Sequence, residues 1–183
     1  LPLFMDSYYL DNISYFMCWT FISLGLAVIW GMGGILSFGQ TAFFGLAGYG
    51  FSVISINFLG VAGVSLWSIV LALILTGIFG LIVGYFLFYG GIYDVFVGIV
   101  TLAITLVLET FMKQTAGPEY AIGTARLNGF NGMQGMPTIG FESIPFGLVE
   151  GVTQYYFILI LSLITLIGLY KFKSSKMGLI FLA

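Results

Sequence analysis

Five apolar runs dominate the chain, and the breaks between them are short with one exception. The runs are Ile13 to Trp30, Ile35 to Phe58, Val61 to Tyr89, Val95 to Met112 and Val152 to Tyr170. A bilayer core needs about 20 apolar residues in an α-helix, so each run predicts a spanning helix. Gly31-Met32-Gly33-Gly34 separates the first from the second, and Gly90-Gly91-Ile92-Tyr93-Asp94 forms a turn before the fourth. The second run differs from the rest. It carries Ser37, Gly39, Gln40, Thr41, Gly45, Gly48 and Gly50, too much glycine and small polar chemistry for a helix that only faces lipid. Such a segment is either packed inside the protein or partly unwound around a cavity, where irregular backbone is tolerated. Residues Thr115 to Gly151 hold four ionisable residues and three of the four prolines, which reads as a loop outside the membrane.

Composition strengthens this reading. Hydrophobic residues are 60% of 183 and charged residues 7%, against about 25% charged in an ordinary soluble domain. The mean hydropathy of +1.13 agrees. The fold class is therefore all-α: a polytopic membrane protein with about five transmembrane helices, one glycine-rich and open to being broken. Three of the five Lys/Arg lie at Lys171, Lys173 and Lys176, so the positive-inside rule places that end in the cytoplasm. Counting back, the 115–151 loop is external and Asp94 sits in a cytoplasmic turn. The chain opens without Met and closes soon after the basic cluster, so residues 1–183 are expected to be a single transmembrane domain cut short at both ends.

Charge and side-chain inventory also exclude chemistry. There is no histidine, and Cys18 is the only cysteine, which removes intrachain disulfides, His/Cys metal sites and Ser-His or Cys-His nucleophile pairs. No metal and no cofactor of the chain's own is expected. A G-x-x-x-x-G-K-[ST] phosphate loop is absent, so any ATP must be bound by a partner. No basic cluster could grip a phosphate backbone, and nucleic acid is excluded as a partner.

What remains for a solute path is hydroxyls, amides and open backbone. Ser37, Gln40 and Thr41 lie within a little more than one helical turn, so Ser37 is expected to share a face with Gln40 at i, i+3 and with Thr41 at i, i+4. These three either line a path or hydrogen-bond neighbouring helices. Glu109 stands four residues before Lys113, an ordinary stabilising pair, although an intramembrane acid is also a functional candidate. Gly129, Asn131 and Gly132 suit a tight turn and a docking surface, with Asn131 able to take positive φ; their backbone N–H groups could alternatively cradle a carboxylate. Phe43 and Phe44 are expected to pack. Gly80 and Gly84 have the spacing that lets helices approach closely, and Gly45 is expected to pack against a neighbour.

The stretch Gly34-Ile35-Leu36-Ser37-Phe38-Gly39-Gln40-Thr41-Ala42-Phe43-Phe44-Gly45-Leu46-Ala47-Gly48-Tyr49 resembles the G-x-L-S-x-G-[HQ]-x-A-F-F signature of one family. That family is the permeases of branched-chain amino-acid (and urea) ABC importers. Leu24-Gly25-Leu26 resembles the helix leading into the signature. Thr101-Leu102-Ala103 is similar to a family T-L-A/G element, which adds Thr101 to the pathway candidates. Gly129-Phe130-Asn131-Gly132 with Gly135-Met136-Pro137 is similar to an external segment. Leu106 and Tyr93-Asp94 depart from the pattern, standing where many members carry an acid and a basic residue with glycine. The resemblance implies a multi-pass permease of the bacterial inner membrane, working with a second permease subunit, cytoplasmic ATPase subunits and an external substrate-binding protein. It implies a cytoplasmic coupling loop beginning after Lys176-Met177-Gly178. The expected activity is passage of branched-chain amino acids or related small polar solutes. The alternatives are a urea or amide permease and an ion-coupled secondary transporter. An intramembrane enzyme would need a catalytic dyad, and the chain has neither histidine nor paired carboxylates on one helix face.

Overall fold

The computed structural model describes residues 5–93, 95–140, 151–176 and 178–179; Asp94, Glu142 and Glu150 lie outside the described residues. Among the described residues, five α-helices follow the five apolar runs: α1 (Ser7–Gly33), α2 (Gln40–Asn57), α3 (Val64–Tyr89), α4 (Val95–Gln114) and α5 (Gly151–Lys173). Four are long and apolar enough to cross a membrane; the fifth helix, α2, is the glycine-rich one. The helices form two compact units.

In the first unit, Leu1–Ser37 with Leu148–Ala183, α1 packs along α5. Helix α1 starts six residues before its apolar run. Asp11 and Asn12 do not interrupt it, because backbone hydrogen bonding continues a helix past the point where lipid requires one. Its end is set by Gly34, which takes the left-handed conformation at φ 65°. Gly34 N–H donates to Trp30 O and Ile35 N–H to Ile29 O, closing the last turn. Residues 34–39 are not helical. The second apolar run is therefore the partly unwound alternative, with its helix delayed to Gln40.

The second unit, Phe38–Gly147, holds α2, α3, α4 and the 115–140 segment. Helices α2 and α3 pack through small residues: Ala42, Gly50, Ser52 and Ser55 are buried on one, Ser65, Ser68 and Ala72 on the other. A Cβ on Gly50 would lie 3.5 Å from Ala72 Cβ, so this glycine sits where the two backbones come close. Gly80 faces the Phe43 ring, and a Cβ on Gly84 or Gly45 would meet nothing within 4 Å among the described residues. The close approach thus falls at Gly50, not at the Gly80/Gly84 pair or at Gly45. Phe43 does pack, edge-on against Phe79 at 5.8 Å between ring centres, while Phe44 is exposed.

The 115–140 segment is more ordered than a plain loop. Ala121–Ile122 (β1) pairs antiparallel with Ala125–Arg126 (β2), and Gly129–Asn131 forms one 3-10 turn. Asn57, at the end of α2, holds the hairpin from outside. Its Nδ2 donates to Ile122 O at 2.8 Å, and its Oδ1 accepts from Thr124 N–H at 2.9 Å. Ala125, Leu127 and Met133 bury themselves against Tyr49, Val53 and Ile56 of α2. Strands of two residues carry no readable alternation, so these contacts, rather than propensity, fold the segment.

Candidate functional site

The unwound residues 34–39 create a problem that α4 solves. Outside a helix, the backbone of Phe38 needs partners, since lipid supplies none. Phe38 N–H donates to Thr101 Oγ1 at 3.0 Å, and Thr105 Oγ1 donates to Phe38 O at 3.1 Å. Thr101 lies buried and also donates toward its own helix, at Val97 O and Gly98 O. Two hydroxyls one helical turn apart therefore clip the irregular backbone at both of its polar ends.

Beside this clip lies a cavity of about 500 Å³, walled by Thr41, Gly45 and Tyr49 from α2 and by Thr105, Glu109 and Lys113 from α4. Gly129 and Phe130 close it on the side of the 115–140 segment. Glu109 and Lys113 form the i, i+4 ion pair that their spacing predicts, and both side chains are about half exposed, at 49% and 44%. The Lys113 ammonium also stands 5.5 Å from the centre of the Phe130 ring, close enough for a cation–π attraction. Gly129 is buried, and a Cβ there would come within 2.8 Å of Ala116. Only glycine lets the turn approach the end of α4 this closely.

Of the residues singled out from the sequence, the cavity gathers Thr41, Glu109 and Gly129. Ser37 does not share a helical face with Gln40 or Thr41, because it precedes the helix that begins at Gln40. Ser37 is buried, and the Gln40 Nε2 is buried without a hydrogen-bond partner among the described residues. Thr101 holds backbone instead of lining the cavity. In the 3-10 turn, Asn128 rather than Asn131 takes positive φ, at 58°. Asn131 N–H and Gly132 N–H donate to Asn128 O and Gly129 O, so two donors of the supposed carboxylate cradle are already used. Thr105, Lys113, Tyr49 and Phe130 went unremarked as wall residues. Thr105 and Lys113 follow Thr101 and Glu109 by four, a signal that could have found them; Tyr49 and Phe130 stand inside the two family-like stretches, which gave their side chains no role.

A family model described as the permease component of the branched-chain amino acid transport system matches residues 8–183. The chain belongs to this family. No curated protein and no solved structure matches it. The permease is thus a membrane-embedded, multi-pass component of a transport system. Its family transports solutes, and the apolar helices supply the membrane-spanning body such a component requires.

Proposed function

We propose that the permease is the translocation subunit of an ATP-driven importer of the bacterial inner membrane, passing branched-chain amino acids or close relatives. The observation that carries this reading is the partly polar cavity beside Thr105, where Thr101 and Thr105 stabilise the unwound backbone of Phe38. Broken backbone at membrane depth is tolerated where it lines a cavity. ATP is bound and hydrolysed by cytoplasmic partner subunits; the permease itself is not an enzyme and carries no cofactor. A second permease subunit completes the path, and an external binding protein docks on the side of Gly129, Asn131 and Gly132. An ion-coupled transporter finds less support, because Glu109 stands near the end of α4 and not as a mid-membrane relay.

The test is uptake of labelled leucine into proteoliposomes holding the permease with its partner subunits. Uptake is expected to require ATP hydrolysis; uptake that persists without ATP and follows an ion gradient would overturn the proposal. In the same assay, Gln40→Leu examines the path. The Gln40 Nε2 has no hydrogen bond to lose, so leucine should not harm insertion or abundance. We expect transport to fall about tenfold, equivalent to about 1.4 kcal/mol on the barrier. An unchanged rate would take Gln40 out of the path.

A further inference from the structure

We infer that Glu109 and Lys113 form the contact for the charged headgroup of a zwitterionic amino acid, Glu109 taking the ammonium and Lys113 the carboxylate. The inference rests on the transport reading above and assigns it a site. Both side chains line the cavity, and their carbon neighbours Ala42, Leu46, Leu108 and Met112 offer an apolar wall to an aliphatic side chain. A solute with both charges on one carbon and a hydrocarbon tail matches this division. Neighbours at i, i+4 stand on one helix face, so two flexible side chains can reach both charges of one small solute.

The existing ion pair is no obstacle. Both partners are half exposed, and such a pair changes the population of its closed form by only about twofold. Lys113 has a second partner in the Phe130 ring, so the cation is not stranded when Glu109 turns to the incoming ammonium. The solute's own two charges then replace the pair's attraction. Urea, carrying no net charge at either end, has nothing to exchange for the ion pair. The geometry therefore favours an amino acid over a neutral amide.

Leucine and urea uptake would be measured in proteoliposomes holding the complete transporter, with membrane abundance of each variant determined alongside. Glu109→Gln and Lys113→Gln should each lower leucine uptake at least tenfold, with the double variant no better than the worse single and Lys113→Arg within about twofold of the parent. A double neutral variant that transports leucine normally would overturn the inference alone, because a merely structural pair is dispensable. A parent complex that moves urea and no amino acid would overturn the substrate reading and this inference together. A second measurement needs no substitution. Acylation of Lys113 by a water-soluble amine reagent, read by mass spectrometry, should slow at least threefold in saturating leucine and stay unchanged in urea. Equal labelling with and without leucine counts against the site even if a variant fails to accumulate.

Discussion

Gly129→Val is expected to unseat the 115–140 segment and to cost more stability than any other single change considered for this permease. Two penalties combine. Gly129 has φ 53°, in the left-handed region, where a residue with a side chain pays about 1–2 kcal/mol. Its Cβ would also sit 2.8 Å from Ala116 Cβ and 2.9 Å from Ala116 Cα. Backbone cannot swing aside like a side-chain tip, and overpacking of this kind costs about 1–3 kcal/mol more. Gly34→Val isolates the first penalty, since Gly34 is left-handed at φ 65° but a Cβ there would meet nothing within 4 Å among the described residues. Thermal unfolding of the purified transporter should show a clear drop for Gly129→Val and a smaller one for Gly34→Val. Equal losses would mean that strain alone matters and that the approach to Ala116 does not.

Removing the hydroxyls of Thr101 and Thr105 together should release the unwound segment. Valine keeps the shape of threonine, so Thr101→Val with Thr105→Val deletes the partners of Phe38 N–H and Phe38 O with little change in packing. A buried polar group left without a partner costs about 1–3 kcal/mol, whereas hydrogen bonds measured in one membrane protein average about 0.6 kcal/mol. The first figure applies where the freed Phe38 N–H and O find no substitute partner. Amide hydrogen exchange distinguishes the two: the Phe38 amide should exchange at least about tenfold faster in the double variant, against less than about threefold for the average bond. Exchange at the parent rate would mean that water or another group holds this backbone. Transport should fall with the faster exchange, because the cavity wall at Thr105 is the same residue that holds Phe38 O.

Much of this architecture follows from local sequence. The lipid solvent acts on each stretch of chain separately, demanding an apolar surface and a self-satisfied backbone, so five apolar runs were enough to place five helices. The break at Gly31–Gly34 was legible as well, although the helix runs on to Gly33 and only Gly34 takes the left-handed cap. The Glu109–Lys113 pair belongs here too: four residues along one helix fix the distance before anything else folds.

The site required more. The packed glycine turned out to be Gly50 rather than Gly45 or the Gly80/Gly84 pair, because spacing marks a helix face that can be approached and not which helix arrives. Phe38 reaches Thr101 across 63 positions, and Asn57 reaches the hairpin across 65. Contacts of that separation exist only after the chain has folded back on itself. Sequence alone determined that the permease lives in a bilayer, where its helices run, and that its second apolar run was unlike the others. Only the tertiary structure decided that residues 34–39 are unwound, that Thr101 and Thr105 hold Phe38, and that Lys113 and Phe130 stand at the cavity. Solvent preference is written residue by residue, whereas meeting places between distant residues are set by packing.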